Sequence, residues 1–237
     1  MEAKTLAPNP RKKASTAKKI FLIFIALLAV VSLAFLVIVL RPANVEIYTN
    51  TDEISETVRS LQPRVIELDH ISIKAEPDST SCGITTVAVM SNFFNNTDYE
   101  PSDLMEKYHS KGNTDFLELL QKELPGRTVV FHSNGTDAEM LQDIHASLNN
   151  NKPVFILFAA PNPYNEPYYD SHGSVVYGIN LDHETVTIAN SYGYREEISF
   201  VDFLNRMSFT ERDKFSFMQQ LIWKISPPDK NMYILIE

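Results

Sequence analysis

From Ile20 to Leu40 the chain runs for 21 residues without a charge, nearly all of them Ile, Leu, Val, Phe or Ala. At 1.5 Å per residue, a helix of that length spans the roughly 30 Å apolar core of a bilayer. A buried globular helix is the alternative, but such a helix is seldom apolar on every face over its whole length. A cleaved signal peptide is the nearer rival. The run is about twice the usual signal core, and no small-x-small cleavage pattern follows it before Arg41-Pro42. The expectation is therefore an uncleaved signal anchor over residues 20–40.

Charge sets its direction. Lys4, Arg11, Lys12, Lys13, Lys18 and Lys19 precede the run with only Glu2 against them, and Arg41 alone follows at once. The positive-inside rule then predicts a cytoplasmic N-terminus and an extracytoplasmic remainder at the cell membrane. Beyond residue 41 the chain carries 14 basic against 29 acidic side chains. Such an acidic domain is a poor match for nucleic acid or anionic lipid and points to a basic or neutral partner, although acidity that only maintains solubility explains it equally well. With a single cysteine, Cys82, no intrachain disulfide can form, so the exported part must be held by its core.

Residues 1–19, rich in Ala, Pro and Lys, read as a cytoplasmic basic tail without fixed structure, and residues 41–64 as a stalk. A folded domain is expected over residues 65–237. Val65 to Ile73 alternates and predicts a first strand. After Cys82, Ile84, Val87, Ala88, Ser91 and Phe94 share a helical face, while Ile84-Thr85-Thr86-Val87 has β-branched strand propensity. Helix is chosen because Ser79, Thr80 and Ser81 offer caps. Pro101 to Tyr108, Thr114 to Glu123 and Asp137 to Leu148 predict further helices, and Pro153 to Phe158 a buried strand. A loop over 160–170 leads to strands at Gly173 to Ile179 and Glu184 to Ala189. Helices first and an antiparallel sheet second is an α+β order. No internal repeat, phosphate loop, paired cysteines or zinc-type histidine spacing occurs, so no cofactor or metal is expected. His70, His109, His132, His145 and His183 are expected at the surface.

Three segments carry possible chemistry. Cys82 heads an apolar stretch, His172 lies in Ser171-His172-Gly173-Ser174, and Asn190 lies in Ile188-Ala189-Asn190-Ser191-Tyr192-Gly193. A thiol needs a base, and the base needs an acceptor that holds its imidazole, so Cys, His and Asn in this order match the papain-like arrangement. If the two strands pair, His172 and Asn190 lie side by side at one end of the sheet. A cysteine in the first turn of a helix would have its thiolate favoured by free N–H groups and its pKa lowered.

The segments Glu76-Pro-Asp-Ser-Thr-Ser-Cys82-Gly, His172-Gly-Ser-Val-Val-Tyr-Gly178 and Ile188-Ala-Asn-Ser-Tyr-Gly193, with the following Ile198 to Phe203, resemble the bacteriocin-processing, double-glycine-leader peptidases and their stand-alone relatives. The resemblance covers roughly Ile71 to Asn205. It implies a papain-like fold, a helical part packed on a C-terminal antiparallel sheet, with Cys82, His172 and Asn190 as catalytic residues and a peptide or protein as substrate. Two positions depart from the family. Its triad Asp is Asn190 here, and its oxyanion-hole Gln is Glu76. An ionised Glu76 would repel a developing oxyanion, and loss of one such donor costs about 2.7 to 4 kcal/mol. Two functions follow from these residues: a membrane-anchored cysteine peptidase or acyl transferase, or an inactive peptidase-like module that binds partners in a membrane complex.

Overall fold

The computed structural model describes residues 10–40, 47–52, 54, 56–110 and 115–237, with side chains described from residue 18 onward in the first of these ranges. The chain falls into two compact units, residues 1–44 with 221–227, and residues 45–220 with 228–237.

The first unit holds helix α1 (Pro10–Leu40). It begins ten residues before the predicted apolar run, so Pro10 to Lys19, expected to lack fixed structure, is helical. Its section Lys18–Leu40 is long and apolar enough to cross a membrane, and none of that section is buried by protein. Large apolar side chains bare on every face suit lipid contact rather than a protein core.

In chain order the elements that follow are α2 (Glu56–Arg59), β1 (Val65–Glu67), α3 (Cys82–Asn95), α4 (Pro101–Lys107), α5 (Phe116–Glu123), β2 (Val129–His132), α6 (Asp137–Asn149), β3 (Val154–Pro161), β4 (Tyr169–Asn180), β5 (Thr185–Asn190), β6 (Tyr194–Ser199), α7 (Phe200–Met207), α8 (Phe217–Ile225) and β7 (Met232–Ile236). The strands form one antiparallel sheet in the order β2-β7-β3-β4-β5-β6, and β1 adds to β4. This is the predicted α+β class. Its centre, β3 and β4, is buried along almost its whole length, which fits the unbroken apolar run Val154 to Phe158. Phe155, Phe158, Ile188 and Ile234 from the sheet close on Ile84, Val87 and Met90 from α3 and on Phe203 from α7, all fully or almost fully buried.

Several boundaries differ from the sequence expectation for visible reasons. The first strand stops at Glu67 rather than Ile73, and His70 takes a left-handed φ of 64°, which no strand continues through. Part of the predicted stalk is domain: Ile54 and Val58 are buried in its core, and the Tyr48 hydroxyl donates to Asp137 Oδ2 at 2.6 Å. Residues 41–46, at the start of that predicted stalk, and Thr114 of the predicted third helix lie outside the described residues. The C-terminal strand β7 inserts between β2 and β3, a pairing of residues more than 70 positions apart that no local pattern announces. His145 is buried rather than exposed, its Nε2 at 2.8 Å from the Pro63 carbonyl.

Candidate active site

Cys82 is the first residue of α3, as predicted, but its helix is not capped as predicted. Ser81, at the cap position, makes no capping bond with its side chain. Its hydroxyl instead donates to Asp78 Oδ1 at 2.7 Å, as do the backbone N–H and hydroxyl of Thr80 at 2.9 and 2.8 Å. Asp78 thus gathers the loop just before the sulfur, and those bonds hold its carboxyl below the usual range.

The helix start packs closely on β4 at Gly173, where even a methyl group would crowd Thr86. A Cβ at that position would lie 3.2 Å from Thr86 Oγ1 and 3.5 Å from the Cys82 carbonyl oxygen. His172, next to it, therefore shares a small volume with the nucleophile. Glu76, Cys82 and His172 each present one donor atom, a carboxylate oxygen, Sγ and a ring nitrogen, all within 4.8 Å of one another.

Strand pairing delivers the third member. Asn190 ends β5 directly opposite Ser174 of β4, and the turn that follows brings residue 191 beside it. His172 Nε2 lies 3.0 Å from Asn190 Oδ1 and 2.8 Å from Ser191 Oγ. The hydrogen-bond network assigns the tautomer. The Ser191 hydroxyl donates its one proton to the Gly173 carbonyl at 2.6 Å, so towards the imidazole it is an acceptor. Asn190 Nδ2 donates to Glu196 Oε2 at 2.8 Å, which turns Oδ1 towards the ring. Nε2 must then carry the hydrogen, and Nδ1 keeps a free lone pair. Tyr192 lies flat on the imidazole, ring centroids 3.9 Å apart and planes 19° from parallel, and fixes its rotation.

Behind Asn190 stands a charged pair that the sequence reading missed. Glu196 Oε1 accepts from Arg206 Nη1 at 2.6 Å, both side chains being largely buried. The signal was available: a tight turn after Asn190 pairs it with Tyr194, so Glu196, two residues on, falls on the same face of the next strand. Ser191 and Tyr192 lay inside the quoted motif without a role assigned to them.

The electrostatics depart from expectation. Burial, foremost, and then the Glu76 charge push the Cys82 thiol up, against the backbone bonds that favour the thiolate, so the first-turn position does not lower it as predicted. Burial also pushes His172 down to about 4, despite its bond to Asn190. The resting pair is thus a thiol and a neutral imidazole. Burial, Asp78 and Asp170 push Glu76 up to about 8, so at neutral pH it is mostly an uncharged acid. The repulsion of an oxyanion expected from an ionised Glu76 is thereby removed.

The chain is similar to two solved peptidase structures. One, described as a C39-like peptidase from Bacillus anthracis, has a TM-score of 0.43 and 12% identity, the match covering 73% of this chain and 97% of that one. The other is the peptidase domain of Streptococcus ComA, a bifunctional ABC transporter involved in a quorum-sensing pathway, with a TM-score of 0.43 and 14% identity over 70% of this chain and 98% of that one. So distant a likeness carries no argument, and the chemistry of the site is read from its own atoms. Comparison with protein-family models and with curated proteins gives no match.

Proposed function

We propose that the folded part is a papain-like cysteine peptidase, or an acyl transferase of the same mechanism, carried outside the membrane by α1 with the N-terminus in the cytoplasm. The observation that carries it is the directed imidazole: Nε2–H held by Asn190 and Ser191, Nδ1 left bare, and the Cys82 sulfur close by at a helix start. Because thiol and imidazole are both neutral at rest, His172 acts as general base during attack rather than as half of a standing ion pair. Nδ1 takes the thiol proton as sulfur bonds to the acyl carbon. The imidazolium then protonates the leaving amine, and water or a second amine cleaves the thioester. Glu76 occupies the oxyanion position and, as an uncharged acid, has an O–H to donate there. The substrate class is a peptide or protein, with the acidic surface favouring a basic or neutral one. The basic residues before Ile20 support the orientation.

An inactive binding module is the second reading, favoured by one observation: a base held down to about 4 and a raised thiol pKa make a weak nucleophilic pair. A peptidyl electrophile incubated with the full chain in detergent separates the two. Mass spectrometry is expected to find one adduct at Cys82, with none in Cys82→Ala and a rate at least about 10²-fold lower in His172→Ala, the loss of a general base. An unlabelled parent, or equal rates in parent and His172→Ala, would place the chain with the binding modules.

A further inference from the structure

Glu76 is only 6% exposed, and its Oε2 has no hydrogen-bond partner among the described residues. A buried carboxylate oxygen without a partner is costly unless something else meets it. The Cys82 sulfur and a His172 ring nitrogen lie close by, all three donor atoms being within 4.8 Å of one another. Asp78 and Asp170 act on Glu76 through space and add negative potential to the same pocket.

We propose that Glu76, Cys82 and His172 bind a borderline-soft divalent cation of the Zn²⁺ class, which holds the nucleophile in a reversible, blocked state. The site shares the Cys82–His172 pairing on which the peptidase reading rests, but it needs no turnover. One thiolate, one imidazole and one carboxylate are the donor types such an ion takes, whereas Mg²⁺ and Ca²⁺ take oxygen. Bond lengths of about 2.0 to 2.3 Å put neighbouring donors of a tetrahedral ion roughly 3.3 to 3.8 Å apart. Donors already within 4.8 Å of one another need to close by at most about 1.5 Å to reach that spacing.

His172 is already dressed as a ligand. Its Nε2–H is given to Asn190 Oδ1 and Ser191 Oγ, the kind of outer contact that orients a metal-bound imidazole and leaves the other nitrogen bare. The fourth position stays open to water. On binding, the thiol and the carboxyl lose their protons to solvent, Nδ1 offers its lone pair, and nothing is oxidised or reduced. The three donors come from a loop, a helix start and a strand, so no sequence spacing reveals them. A carboxylate at position 76 also gains a use that the family's neutral glutamine could not serve.

Co²⁺ added to the full chain in detergent, in place of spectroscopically silent Zn²⁺, is the test. The parent is expected to develop a thiolate-to-cobalt absorption that Zn²⁺ displaces, and saturating Zn²⁺ to protect Cys82 from the electrophile until a chelator is added. Cys82→Ser should abolish the absorption. Glu76→Gln, nearly the same shape, should weaken Co²⁺ at least the roughly tenfold that loss of even an outer partner costs. Circular dichroism and a melting curve check that each variant is folded. No absorption in the parent, or equal affinity in a folded Glu76→Gln, overturns the site. Labelling of Cys82 without metal binding leaves the peptidase reading standing alone, and metal binding without labelling does the reverse.

Discussion

The sequence resemblance leads one to expect an aspartate at position 190, and Glu196 gives a physical reason for the amide found there. Its carboxylate accepts from Asn190 Nδ2 at 2.8 Å, so an aspartate at position 190 would bring two carboxylates together, which cannot both stay ionised at that distance. Asn190→Asp is therefore expected to turn away from His172 or to take up a proton, and acyl-enzyme formation should fall about tenfold or more, one misdirected hydrogen bond being worth ~1.4 kcal/mol. Adding Glu196→Gln restores a donor towards the new carboxylate, and the double variant should recover most of the lost rate. Stopped-flow labelling of Cys82 decides it: a faster Asn190→Asp that Glu196→Gln does not improve would show that Glu196 has no part in orienting the site.

Two element-level joints position these residues. The first is the contact of α3 with β4 at Gly173, where a methyl group would press on Thr86 Oγ1 and touch the Cys82 carbonyl. Gly173→Ala should leave secondary structure unchanged but push Thr86 and the helix start by a few tenths of an ångström, and since a misplacement near 1 Å costs roughly 10²-fold, the labelling rate should fall about tenfold. A rate within threefold of the parent would show that the contact has slack. The second joint is Glu123 on α5, which reaches Lys107 Nζ at 2.6 Å, the Tyr108 hydroxyl, and Ser91 of α3 at 3.3 Å. Burial by itself would raise its pKa, but these partners outweigh burial and hold it below the ordinary value. A depressed carboxylate contributes stability above its unfolded pKa of about 4.3 and loses it as the pH falls through the folded value. Glu123→Gln should therefore cost about 1.5 to 3 kcal/mol at pH 7, a fall of roughly 3 to 12 °C in Tm. The gap between parent and variant should close below pH 4. A gap independent of pH would mean that Glu123 contributes packing and not charge.

At the scale of the whole chain the peptidase reading requires the thiol to face away from the cytoplasm. Protease added to intact cells should remove the fragment containing Cys82 and spare an N-terminal fragment, read with a tag on residue 1 and another on residue 237. Protection of the C-terminal tag, with loss of the N-terminal one, would reverse the orientation drawn from Lys4 to Lys19. The acidic balance beyond residue 41 belongs to the same scale, because it acts on partners through its summed field and not through any one contact.

What was legible in the chain was whatever depends on near neighbours. The uncharged run Ile20 to Leu40 could only be a long helix, the apolar stretch after Cys82 kept its helical period in α3, and the unbroken Val154 to Phe158 became a central strand. That Cys82, His172 and Asn190 would meet was legible too, since each stands in a short pattern of its own. Tertiary structure decided the rest, because the energies involved belong to groups that meet only on folding. Insertion of β7 between β2 and β3 needs residues from both halves of the domain. Ile54 and Val58 look like stalk until a core closes over them. The charge states of Glu76, Cys82 and His172 follow from how much water the assembled site excludes, and no local sequence states that.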